Sequence, residues 1–287
     1  MAFKLFNRNR NPGQPEMSFV DHLEALRWHI VRSVLAIVIV AVFIFIKIDW
    51  IFENIITGPI HSNFVSYAAL CRFGHAIHIG DALCMQSVDK LKLQTTTFGS
   101  QFISSITIAF IGAFIIAFPY IFWEFWRFVK PALSPKELKS SRGAIFWVTF
   151  FFLLGIAFGY FLLAPFTFSF LWNYRLGVTG LLETRPTLDD YIDNLVDILI
   201  GSGLAFQLPL ISYVLTRIGL VTPAFLRTYR KYAYVAILFI AAIITPSPDW
   251  MSQTIVALPL IILYEISIRI SVRVMKQREK RDKEEWS

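Results

Sequence analysis

Fourteen consecutive residues without a charge, Ser33–Ile46 (SVLAIVIVAVFIFI), follow directly on a charged stretch, Met17–Arg32 (MSFVDHLEALRWHIVR). Within the charged half, Phe19, Leu23, Leu26 and Ile30 recur at helical spacing and form one apolar stripe. Asp21, Glu24, Arg27 and Arg32 lie off that stripe, and Ser18 followed by Asp21 resembles a helix-start signal. One helix therefore begins on a charged surface and enters a medium of hydrocarbon. That junction sets the orientation of everything downstream.

The rest of the chain agrees with a bilayer as its solvent. With 287 residues, 56% hydrophobic and 16% aromatic, and a mean hydropathy of +0.58, it has too little polar material to coat a soluble globule. A net charge of +7 suggests nucleic acid at first sight. The basic residues cluster between apolar runs, however, which is the positive-inside pattern of membrane proteins, and no nucleic acid is expected as a partner. The apolar run lacks a small-residue cleavage site and continues into Lys47, Asp49 and Trp50, so the first span is expected to stay in the mature protein.

In chain order, residues 1–16 read as a polar, basic, flexible tail and 17–270 as the membrane domain. Spans are expected at about 28–46, 101–126, 144–172, 195–216, 232–244 and 250–268, followed by a charged tail, 271–287. Trp50–Ile56 reads as a short interfacial helix stopped by Gly58-Pro59. Span three is too long for the hydrocarbon core and must tilt, bend or project, with Pro165 helping it bend. The last two spans are short, and a pair of this length is also compatible with a re-entrant hairpin. The segments 1–27, 127–143, 217–231 and 269–287 carry twenty Lys and Arg residues, against six in 47–100, 173–194 and 245–250. That asymmetry places both termini in the cytoplasm.

Chemistry-bearing patterns are few. Cys71 and Cys84 are the only cysteines and fall in a predicted external loop, where a disulfide is expected. Closing that loop is worth about 3 kcal/mol in the chain-entropy model. His75 and His78 stand beside them, but the spacing is unlike common zinc modules, and neither a metal nor another cofactor is expected. The sequence shows no Ser/His/Asp constellation or phosphate-cradling glycine loop, so no catalytic residue is assigned and an enzyme is not expected. Intramembrane polar residues are costly and therefore informative. Gln207, in AFQLPL, either satisfies a carbonyl freed by Pro209 or marks a polar spot lining a cavity. A small-solute transporter or channel using Gln207 and Asp197 is the alternative reading. Prolines at 119, 165, 209 and 259 favour kinked helices packed into a curved wall.

Several motifs carry a resemblance: DHLEALR before span one, FPYIFWEFWRFVKPALSPKE after span two and GYFLLAPFTFSF in span three. FQLPL in span four, TPSPDWMSQTIVALP across the short pair and LYE in span six add to it. Together they resemble TatC, the multispanning subunit of the twin-arginine protein translocase. The resemblance implies an all-α membrane protein of the bacterial cytoplasmic (inner) membrane. It further implies six transmembrane helices, the last two short, both termini cytoplasmic, and a concave cup-like bundle. It implies binding of twin-arginine signal peptides of folded cargo, partnership with single-span TatA/TatB-type subunits, and self-association in the complex. Glu137 matches the family's carboxylate in the loop after span two, and Arg27 matches the arginine of the first motif. Two positions depart from the family pattern. Ala25 stands where a glutamate is usual, with Glu24 displaced by one residue, about 100° around a helix. Gln207 stands where glutamate is frequent. The expected signal-peptide contacts are thus Glu137, Glu24 and Arg27.

Overall fold

The computed structural model describes residues 19–61, 63–76, 78, 84, 92–130, 143–174, 185–217, 219–245 and 250–284. Helix α1 (Phe19–Ile46) is one unbroken rod of 28 residues, about 42 Å long. After Lys47 the chain makes a single turn, α2 (Ile48–Ile51), which relaxes into a π turn over Phe52–Ile56 and ends in a 3₁₀ turn at Gly58–Ile60. The expected stop at Gly58-Pro59 has a packing cause. A Cβ on Gly58 would lie 2.6 Å from the Tyr160 hydroxyl, which itself donates to the Ile55 carbonyl at 2.6 Å.

A helix that periodicity did not single out, α3 (Val65–Ala76), follows. It is tied down by the Tyr67 hydroxyl, which donates to Pro59 O at 2.8 Å. Cys71 and Cys84 are joined, with an S–S distance of 1.98 Å. Among the described residues there is no strand, only an isolated bridge between Gln94 and Thr187.

Helix α4 (Ser100–Val129) passes through Pro119 without interruption. The next long element is composite: α5 (Ala144–Phe158), a π turn over Gly159–Leu163, and α6 (Ala164–Asn173). Pro165 has no N–H for the carbonyl four residues earlier, and the π turn absorbs that missing bond. Helix α7 (Leu188–Ala205) is likewise separated from α8 (Leu208–Arg217) by a turn just ahead of Pro209. Then come α9 (Pro223–Thr228), α10 (Arg230–Ile244) and α11 (Trp250–Glu284).

Two expected boundaries are corrected. The acidic segment 173–194 is not all loop, because α7 starts at Leu188, seven residues before the expected span. Thr187 caps it, its Oγ1 accepting from Asp190 N at 3.1 Å, and Asp189 and Asp190 favour the helix N-terminus. The last helix is not short. It runs 35 residues to Glu284, so most of the expected charged tail continues the helix. No breaker follows Ile268, and Ser271 and Val274 remain buried, with Ser271 Oγ 2.8 Å from Thr216 Oγ1 of α8.

Among the described residues, five segments are long and apolar enough to cross a membrane: Leu23–Ile46, Ser100–Val129, Ile145–Asn173, Leu188–Thr216 and Gln253–Gln277. At 15 residues α10 is shorter, about 22 Å. The main core gathers Phe168, Tyr191, Ile198, Ala241, Val256 and Leu260 from α6, α7, α10 and α11. Helix α1 stands outside it. Its long partner is α4, reached through a buried seam of Ala41 and Ile44 against Ala109 and Ala113.

Candidate functional site

Glu124 lies in the last third of α4 and is 1% exposed, in a segment built mostly of aromatic side chains (YIFWEFWRF). A carboxylate at such depth requires partners. The nearest comes from α1: His29 Nδ1 lies 2.5 Å from Glu124 Oε2. The Tyr120 hydroxyl donates to Oε1 at 3.1 Å, one turn earlier on α4. Arg127, three residues on, donates from Nη1 to Oε1 at 3.3 Å, and Arg32 of α1 places Nη1 4.0 Å from Oε2. Helices α1 and α4 are therefore clasped at one end by a charged cluster and along their length by the alanine seam. The lone carboxylate among aromatics was the available sequence signal. Its meaning depended on the pairing of α1 with α4, which the sequence alone does not specify.

Of the residues expected at the signal-peptide site, Glu24 and Arg27 are both exposed on the first turns of α1. The Arg27 guanidinium lies 5.6 Å from the centroid of the Trp28 ring. Glu137 lies outside the described residues, as does the rest of 131–142.

Gln207 is 9% exposed, and its Nε2 donates to the Val148 carbonyl of α5 at 3.0 Å. The carbonyl it serves is on the neighbouring helix, not the one freed by Pro209. Asp197 is exposed on α7, ten residues and roughly 15 Å of helix away, so the two are not brought together as a solute site would need. At the far end of the bundle a cavity of about 670 Å³ is lined by Asp49, Glu53, His61, Gln101, Ser104 and Leu188, among others. Ser104 Oγ donates to Asp189 Oδ1 at 2.9 Å beside it. Glu265, on α11, is held by Arg230 at 2.9 Å and by the Tyr234 hydroxyl at 2.6 Å, which ties α10 to α11.

Long apolar helices, a buried charged clasp and helix breaks at prolines define a multi-pass α-helical membrane protein. The comparisons give it a family. Residues 21–259 match the family model described as Sec-independent protein translocase protein (TatC), and the chain belongs to that family. It is 39% identical over 263 residues to the TatC protein of Blattabacterium sp. subsp. Periplaneta americana, covering 92% of this chain and 98% of the relative. It is 32% identical over 268 residues to that of Aquifex aeolicus, covering 92% and 100%. A crystal structure described as the twin-arginine translocase receptor TatC superposes with a TM-score of 0.65 at 31% identity, covering 88% of this chain and 99% of that one.

Proposed function

We propose that this chain is the signal-peptide receptor of a twin-arginine translocase in a bacterial inner membrane. The observation that carries the reading is the family match over residues 21–259, which spans nearly every long helix. On this reading the chain makes six crossings with α10 as the fifth, both termini are cytoplasmic, and the charged ends of α1 and α4 face the cytoplasm. The excess of basic residues in the segments assigned to that side supports this orientation. Glu137 and Glu24 supply carboxylates to the two guanidinium groups of the signal, and Arg27 helps define the rim. The apolar part of the signal lies along a concave wall past Gln207. Single-span TatA/TatB-type subunits and further copies of the chain complete the complex. The Cys71–Cys84 bridge braces the external loop.

Crosslinking of a radiolabelled twin-arginine precursor to the chain in inverted membrane vesicles tests the assignment. Glu137→Gln should lower the yield, whereas Glu137→Lys should abolish crosslinking and export without reducing the amount of inserted protein. Wild-type crosslinking by the lysine variant would remove Glu137 from the site. The same assay on Gln207→Leu checks the groove, because unchanged crosslinking and export would leave Gln207 a purely structural donor.

A further inference from the structure

Arg32 of α1 and Arg127 of α4 approach the same carboxylate from different helices, at 4.0 and 3.3 Å. Glu124 is buried at 1% exposure, whereas the two arginine side chains remain 47% and 45% exposed. The charge balance is therefore incomplete. One carboxylate faces two guanidinium groups, which stay protonated in any protein setting, and one positive charge is left over at an accessible point. Arg27 and Lys130, both exposed, add to the same end of this helix pair, with the exposed Glu24 offsetting one of them. Trp28 and Trp123 flank the cluster at 50% and 41% exposure. Arg127 lies 4.9 Å from the centroid of the Trp123 ring. Half-exposed tryptophans at the mouth of long apolar helix segments mark headgroup depth.

We propose that Arg32 and Arg127, both paired to Glu124, form a binding site for the phosphodiester headgroup of an anionic phospholipid. A single phosphodiester carries the one negative charge that Arg32 and Arg127 lack once Glu124 is counted. Its oxygens suit the fork geometry of two guanidinium groups. Because Glu124 already restrains both arginines, little side-chain freedom remains to be lost when the lipid arrives. Leu35, Ile39 and Ile116, exposed on the membrane-embedded lengths of the same helices, offer hydrocarbon contact for acyl chains. A zwitterionic headgroup would bring an ammonium group toward Arg27 and Lys130, and so gains less. The two arginines and Glu124 that form the site are distinct from Glu137, Glu24 and Arg27 of the signal-peptide assignment, although Arg27 and Glu24 lie at the same end.

The test uses the full chain in mild detergent, mixed with equal amounts of dioleoyl phosphatidylglycerol and dioleoyl phosphatidylcholine. Retained lipid is counted by native mass spectrometry. The wild type should hold the anionic lipid about tenfold over the zwitterionic one. R32Q/R127Q should lose that preference, and so should R32Q/R127Q/E124Q, in which removing the carboxylate restores charge balance and protects folding. R72Q, on the exposed surface of α3, should keep it. Wild-type retention of phosphatidylglycerol by the triple variant would overturn the proposal. So would displacement of the lipid by an equal concentration of inorganic phosphate, which would make this a site for free anions.

Discussion

Glu124 and His29 test which interaction holds the clasp together. Truncating His29 to alanine leaves Oε2 without its nearest partner at a position water hardly reaches. The expected loss is about 1.5–3 kcal/mol, read as a lower unfolding midpoint in detergent. Glu124→Gln keeps an acceptor for Tyr120 and a polar partner for His29, while Arg32 and Arg127 are exposed enough to rehydrate. Its loss should be smaller, about 1 kcal/mol. A glutamine variant as unstable as H29A would mean that charge, not hydrogen bonding, holds the clasp. At this scale the sequence was only partly legible. Gln207 could be singled out as a costly polar residue inside a span, but its acceptor on α5 could not. Glu124 sat in plain view and gained a role only once His29 and Arg32 were known to face it.

Helices were far more legible than their contacts, because apolar runs and prolines act locally. The long apolar runs were legible, although α1 and α7 begin nine and seven residues before the expected spans and α11 runs sixteen past its expected end, and the breaks at Pro165 and Pro209 follow from missing N–H donors. Helix α3 was missed because its residues (VSYAALCRFGHA) show no strong apolar stripe. The extension of α11 was missed because charge was read as the end of the helix, whereas burial of Ser271 against Thr216 carries it on. The crossing of α5 with α7 depends on small residues. A Cβ at Gly155 would come 2.5 Å from Ser202 O and 2.8 Å from the Gly203 Cα. Gly155→Ala should therefore cost about 1–3 kcal/mol and Gly155→Val more, since backbone on the far side cannot yield. Gly143→Ala, whose nearest neighbour would be Trp147 Cδ1 at 3.5 Å, should be close to neutral. Thermal unfolding of the three variants in one detergent checks the order.

For the whole molecule, the distribution of charge makes a topological prediction. In a Cys71→Ser/Cys84→Ser background, single cysteines replacing Thr228 or Gln277 should react with a membrane-impermeant maleimide only from the cytoplasmic side. One replacing Phe98, which is fully exposed, should react only from the other. Labelling of position 228 from outside would invert the orientation. A cysteine at Pro248 addresses the short pair. Reaction from outside makes α10 and the start of α11 full crossings, and protection there makes them a re-entrant hairpin.

The one-sided attachment of α1 bears on how the protein is made. This helix leaves the ribosome before α4, its long partner among the described residues, which begins more than fifty residues later. During that interval it must reside alone among lipid tails, which its almost wholly apolar circumference permits. The pairing then closes when Ala109 and Ala113 slide into the seam and Glu124 meets the waiting His29 and Arg32. Assembly of the first two crossings is thus a delayed docking of two independently inserted rods, with the carboxylate serving as the latch that fixes their register.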